Sequence, residues 1–218
     1  MQYEKKGIKL KTNFGVFFAV GQSHLSSPAY DLYVSDYKIT KNIKFKPTLT
    51  YEIGTTFNLY IDYAGRNNYC IQLSPSLNTV TYNSDQTLTL YQLTSNYKLE
   101  AKYTALKIPL LLKYSFYSSN WPIIPFLRVG LGYAKYLEQK GTYVMTSYYP
   151  QTPAFQPNVY TSSLNDYPKP SKGYYIIGGG MDLKCGEKRV SFAVNYEQIQ
   201  DILEGNRSDI QLQLGFQF

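Results

Sequence analysis

Long hydrophobic runs are missing from this sequence. The richest apolar stretches, Ile108–Leu112 and Tyr174–Met181, fall far short of the roughly 18 to 20 continuous apolar residues that a spanning helix needs, which excludes a helical membrane protein. Histidine and cysteine are scarce: there is one His and there are two Cys. His24, Cys70 and Cys185 are too few and too scattered to form a recognisable ligand set, so neither a metal nor a cofactor is expected. The triple glycine Gly178–Gly180 lies inside a strand pattern, which suits close packing or sharp curvature better than a phosphate-cradling loop. Charged residues make up only 17% of the chain, with a net charge of +7. The Lys and Arg are dispersed rather than gathered into a stripe, so nucleic acid is not an expected partner. Attraction to anionic lipid headgroups or acidic glycans, or simple solubility of exposed loops, accounts for the excess. The polar start, Met1–Gly7, lacks the apolar core of a secretory signal, as expected of a chain whose leader has been removed.

Tyrosine, by contrast, is abundant: 24 Tyr accompany 11 Phe and a single Trp. Hydrophobic residues reach 44%, yet mean hydropathy is −0.33, so apolar and polar residues must be interleaved. The interleaving has period two, the signature of a strand with unlike faces. Ile8, Leu10, Thr12, Phe14, Val16, Phe18 and Val20 alternate with Lys9, Lys11, Asn13, Gly15, Phe17, Ala19 and Gly21. The same pattern predicts strands over Thr48–Ile61, Tyr69–Leu77, Leu106–Phe116, Pro125–Ala134, Tyr174–Lys184, Val190–Glu197 and Ile210–Phe218. Pro109 costs its strand a ladder hydrogen bond, which predicts a bulge there. Cys70 and Cys185 fall on distant strands, so free thiols are expected.

The links between strands alternate in length. Those at Asp62–Asn68, Ser118–Pro122 and Cys185–Arg189 are short; Gln22–Lys46, Asn78–Thr104 and Glu138–Lys172 are long, and Gln200–Ser208 is moderate. Short periplasmic turns and long extracellular loops are the habit of outer-membrane barrels. Residues 1–218 therefore read as one domain, a transmembrane antiparallel up-and-down β-barrel of about eight strands in a bacterial outer membrane, with outer-membrane lipid around it. A soluble barrel would place its apolar face inside. Here the second face carries Lys9, Lys11, Glu52, Lys113, Arg128, Asp182 and Glu197. In so narrow a barrel these are expected to pair, Glu52, Glu197 and Asp182 with Lys9, Lys11, Lys113 and Arg128, as a polar plug. A narrow conductance is the alternative.

The last strand ends its apolar series on Phe216 and Phe218, and so resembles the terminal strand that bacterial outer-membrane barrels present to their assembly machinery. Leu106–Tyr114 and Pro125–Tyr133, an Ile-Pro-Leu-Leu strand, a brief turn and a Pro-x-Leu-x-x-Gly strand, resemble the outer-membrane β-barrel domain family of the Bacteroidota, its PorT-like members especially. That resemblance implies location and architecture. Most members have no assigned activity, and a minority are linked to secretion or surface machinery.

Two sets of residues remain as candidates for chemistry or recognition. His24, followed by Ser26, Ser27 and Asp31, raises a lipid A-modifying acyltransferase or deacylase, set against a solvated loop histidine. No partner is fixed by spacing, so the chain is expected not to be an enzyme. Tyr51, Tyr69, Tyr114, Tyr133, Tyr175 and Tyr196 suit aromatic girdles. Tyr33, Tyr37, Tyr143, Tyr148, Tyr149 and Tyr160, with Tyr30, Tyr91, Tyr97 and Tyr167, fall in the long connections. They suit a recognition surface for an outer-membrane protein partner or surface glycan, or else strands continuing beyond the bilayer.

Overall fold

The computed structural model describes residues 9–26, 29–34, 37–42, 45–63, 66–90, 93–116, 122–149, 156–163, 171–200 and 206–218. Strand is the conformation that sends alternate side chains to opposite faces, and it prevails throughout these residues. In order they form β1 (Lys9–Leu25), β2 (Ala29–Val34), β3 (Tyr37–Asn42), β4 (Thr48–Tyr63), β5 (Arg66–Leu73), β6 (Ser76–Leu90), β7 (Leu93–Ser115), β8 (Ile123–Tyr148), β9 (Asn158–Ser163), β10 (Ser171–Cys185), β11 (Lys188–Gln200) and β12 (Asn206–Gln217).

β5 and β6 are one stave interrupted at Ser74–Pro75, since both pair with β4 on one side and with β7 on the other in an unbroken register. Eight antiparallel staves result: β1, β4, β5 with β6, β7, β8, β10, β11 and β12, the last closing onto β1. This is the predicted barrel. A row of paired residues leaving β8 at Leu127 runs through Gly179, Val194, Leu212, Val20, Tyr51, Thr79 and Thr104 and returns to β8 at Glu138, eleven residues higher. One of those residues belongs to a register shift at Thr104/Ala105. A stagger of about ten in eight staves means steeply tilted strands, at about 40°, around an interior that side chains alone can fill.

The polarity is that of a membrane barrel. Leu110, Leu127 and Leu212 are 56%, 58% and 62% exposed on the outside, whereas Lys113 and Arg128 are buried within. An aromatic girdle marks each edge of the apolar belt. At the end where β1 starts and β12 stops, Tyr69 meets Tyr114 with ring centroids 5.1 Å apart, and Phe14 lies against Phe57 and Phe218. At the other end Tyr51, Tyr133, Tyr175 and Tyr196 face outward. There the hydroxyls of Tyr175 and Tyr196 both donate to Gln198 Oε1. At the β10–β11 turn Gly186 has a φ of 68°, the left-handed conformation that primed two-residue hairpin turns require. A Cβ on Gly180 would run into the backbone of Phe192 and Ala193, so the triple glycine serves close packing of β10 on β11.

Several sequence expectations are corrected. The predicted loop Asn78–Thr104 is the upper half of two staves, paired from Ser76 with Lys107 to Leu90 with Leu93. Val80, Tyr82 and Ser84 turn inward there while Asn83 and Asp85 face out. The outward face no longer touches lipid, so the apolar half of the zigzag vanishes although the strand continues. Likewise β8 runs on to Tyr148 and pairs there with β9, and β2 and β3 form a hairpin inside the predicted Gln22–Lys46 loop. Pro109 makes no bulge: it pairs in register with Gly132. Its carbonyl accepts from Ser74 N at 3.2 Å, and its missing amide falls beside the Ser74–Pro75 break, so a gap in the ladder replaces the bulge.

Leu127→Arg, which sets a cation in the middle of the belt, is expected to destabilise the barrel by about 2–4 kcal/mol in lipid vesicles. Reversible denaturant unfolding checks it, with Lys135→Arg above the belt as the silent comparison.

Candidate functional site

Inward residues of the staves stack into layers, starting from the end with the short turns. Lys113 Nζ donates to Asp182 Oδ2 at 2.6 Å and lies 3.8 Å from the Phe126 ring centroid, while Ser191 Oγ donates to Asp182 Oδ1 at 2.6 Å. The predicted pairing of Lys113 with a lumen carboxylate therefore holds. Beside it Arg128 donates to Asn195 Oδ1 through Nε at 2.9 Å and to Gln213 Oε1 through Nη2 at 2.6 Å. Its partners are neutral amides, not the carboxylates expected.

The middle layer is built on Lys107. Its ammonium contacts Glu52 Oε2 at 2.7 Å and also Glu197, so one cation bridges two buried carboxylates. Ser76 Oγ at 2.7 Å and Gln211 Nε2 at 3.2 Å donate to Glu52 as well. Glu52 and Glu197 thus belong to the plug as expected, with a partner not among those proposed for them. Of the proposed partners, Lys11 is exposed, because it lies beyond the end of β12, whose pairing with β1 starts at Gly15. The Lys9 side chain lies outside the described residues.

Above this, Arg207 and Asp209 form an ion pair at 2.6 Å. Arg207 also donates to Asn78 Oδ1 at 2.7 Å, and Ser23 Oγ donates to Asp209 Oδ1 at 2.5 Å. Arg207 and Asp209 were missed because Arg207 was read as part of a connection. The inner series of β12, Gln217, Gly215, Gln213 and Gln211, continues through Asp209 to Arg207 and contained the signal. The uppermost layer is apolar: Leu25, Phe45, Val80, Leu99, Tyr82, Tyr103 and Tyr136 form a buried cluster with edge-on ring contacts near 6 Å.

Packing of buried charges in this way imposes a constraint, because a buried charge deprived of its partner is far more costly than an intact pair.

The hydrolase constellation does not assemble among the described residues. His24 lies on β1, exposed and paired across the ladder with Ser208. Ser26 Oγ donates to the Asn206 carbonyl at 2.8 Å, and Ser23 faces the opposite, inner side. Ser27 and the Asp31 side chain lie outside the described residues. Cys70 is buried and Cys185 exposed, both as free thiols. Among the tyrosines, Tyr149 and Tyr160 are exposed, Tyr148 is half-buried, and Tyr97 is buried within the β6–β7 hairpin rather than displayed. The side chains of Tyr30, Tyr33, Tyr37 and Tyr143, and residues Tyr91 and Tyr167 altogether, lie outside the described residues. Phe218 is exposed at the barrel end, with its amide bonded to the Phe14 carbonyl at 2.8 Å.

No protein-family model matches the chain, and a search of curated proteins finds no match. Among solved structures it is similar to the outer membrane protein OprG of Pseudomonas aeruginosa, at 15% identity over 94% of this chain and 95% of that one, with a TM-score of 0.46. It is similar also to the N-terminal β-barrel domain of Pseudomonas aeruginosa OprF, at 12% identity over 94% and 98%, TM-score 0.34. Neisserial surface protein A matches at 9% identity over 93% and 95%, TM-score 0.35. The assignment of this chain rests on its own geometry. A closed antiparallel barrel, apolar and girdled outside and polar within, is the form in which β-structure crosses a bilayer with every edge paired, and the chain is a transmembrane β-barrel.

Lys107→Met is expected to cost about 3–5 kcal/mol, since it leaves two carboxylates buried without their cation. Adding Glu52→Gln and Glu197→Gln should restore most of that loss in denaturant unfolding, whereas a simple packing defect would not be rescued.

Proposed function

We propose that this protein is a non-enzymatic surface barrel whose closed body holds an extracellular β-sheet for recognition of a protein or a surface glycan, alone or as an accessory subunit of a larger outer-membrane assembly. The observation that carries this reading is the division of β7 and β8. Their lower halves lie in the apolar belt over a filled lumen, and their upper halves continue as a paired sheet extended by β9. Val159, Tyr160 and Tyr149 are exposed on that extension, at 59%, 55% and 46%. Tyrosine contributes large contact area at low entropic cost. The resemblance to the PorT-like family of the Bacteroidota belongs to the same proposal. So does recognition of Phe216 and Phe218 by the barrel-assembly machinery.

The binding test is glycan-array and surface-protein binding by the detergent-solubilised barrel. Tyr149→Ala with Tyr160→Ala is expected to weaken the binding about tenfold while heat-modifiable migration stays unchanged. Unaltered binding by the double variant rejects the recognition surface. Planar-bilayer recording is expected to show no discrete current steps; steps that persist in purified protein would establish the pore alternative. Lipid A incubated with wild type is expected to remain unmodified. A modification lost in His24→Ala would establish the enzyme.

A further inference from the structure

Beyond the belt the outward face of the β6–β7–β8 sheet carries a depression ringed by polar side chains. Asn83 is opposite Glu100, which is opposite Thr142, and Asp85 is opposite Lys98. Residues 45–47 run along the free side of β6, where Lys46 N donates to the Asn83 carbonyl at 3.2 Å. Lys46, Asn83, Asp85, Lys98, Glu100 and Thr142 are all exposed. They surround a volume of about 470 Å³, inside the roughly 300–1,000 Å³ of small-ligand sites. Opposite charges in opposed positions attract. Asp85 and Lys98 nevertheless form no ion pair among the described residues, and neither do Lys46 and Glu100. Four charged groups thus stand apart around the depression.

The wall behind these groups is firm. Leu99 and Tyr82 point the other way, into the buried apolar cluster, and Phe45 packs edge-on against Tyr82 with ring centroids 5.9 Å apart, which fixes the segment bearing Lys46. The lining also selects a chemistry. Two ammonium groups and two carboxylates leave it without net charge, and Val144 is its one apolar side chain outside the buried cluster. A ligand of single-sign charge is attracted by one pair and repelled by the other. Hydroxyl groups both donate and accept, so ammonium, amide and carboxylate all serve them. Height supplies the third constraint. Lys46 lies five residues before the girdle residue Tyr51 and Thr142 nine after the girdle residue Tyr133. At the rise and tilt of these strands that is roughly 13–23 Å beyond the girdle. Girdle aromatics mark the headgroup level, so lipid phosphates lie well below the depression, which opens sideways into the layer where saccharides stand.

We infer that the outward face of the β6–β7–β8 sheet binds a neutral or zwitterionic saccharide, with Asp85 and Glu100 accepting from its hydroxyls and Lys46, Asn83 and Lys98 donating to them. This rests on the recognition reading proposed above and narrows it to one ligand class and one face. A protein partner would be held chiefly by aromatic or aliphatic anchors in a desolvated pocket, and this lining offers them no apolar floor.

The test is binding of the full chain in detergent to an array of neutral, zwitterionic and uniformly anionic oligosaccharides, with the oligosaccharide split from the membrane's own glycolipids as a further arm. Neutral and zwitterionic members are expected to bind, with little change between about 0.1 M and about 0.5 M salt. Binding in the glycolipid arm supports the site through a ligand of the same leaflet, and binding of other members alone supports it through a foreign glycan. Asp85→Asn with Glu100→Gln should weaken binding about tenfold, with heat-modifiable migration unchanged. Binding of anionic members alone, loss at the higher salt, or binding that survives the paired carboxylate change would overturn the inference. Capture of a surface protein with no oligosaccharide bound would do the same. The recognition reading is judged separately: weakened binding in Tyr149→Ala with Tyr160→Ala beside unaltered binding in the carboxylate variant keeps recognition and removes this site, whereas no glycan or protein bound at all removes both.

Discussion

One ammonium group shared between two carboxylates is the interaction on which the interior depends. Lys107 on β7 reaches Glu52 on β4 and Glu197 on β11, drawing three separated staves toward the barrel axis. The lumen is too narrow for bulk water, so each inward charge must be answered by a neighbour. This requirement explains why Asn, Gln, Ser and Thr dominate the remaining inner positions. They supply donors and acceptors that complete the shells of Glu52, Asp182 and Arg128 without adding charge.

The barrel changes character along its length. Around the belt, apolar side chains face lipid and polar ones face the axis. Above it the inner face becomes apolar, with Tyr82, Tyr103 and Tyr136 packed together, and the outer face carries Asn83, Asp85, Lys98 and Glu100. The polarity of the zigzag reverses as the solvent outside changes from hydrocarbon to water. A single strand such as β7 therefore obeys the membrane rule over Ala105–Ser115 and the soluble rule over Leu93–Tyr103.

That reversal explains what could be read in advance. Where one face touched lipid, as in Ile210–Phe218 or Leu106–Phe116, side-chain direction followed directly from alternation. The inner charges Glu52, Lys113, Arg128, Asp182 and Glu197 were placed correctly for the same reason. Beyond the belt the hydrophobic signal lapsed while the backbone pairing persisted, so Asn78–Thr104 looked like a loop. Pairing partners inside the lumen were not legible. Alternation states which face a side chain occupies, but not its height, and height on tilted staves depends on the stagger. Lys107 shares the inner face of β7 with Lys113 and yet is absent from the expected plug, whereas Lys11 is part of that expectation although it lies below the last row that could enclose it.

The paired prolines carry a consequence for the wall. Pro75 and Pro109 sit at neighbouring positions on adjacent staves, amid Leu73, Leu77, Ile108 and Leu110, and neither has an amide hydrogen to offer. Thr55 and Ser74 still donate into the carbonyls of Pro75 and Pro109, but the return bonds do not exist. In hydrocarbon no solvent replaces them. A diagonal seam of halved backbone bonding thus crosses otherwise continuous masonry at two adjoining courses, where each proline leaves one carbonyl without its ladder donor.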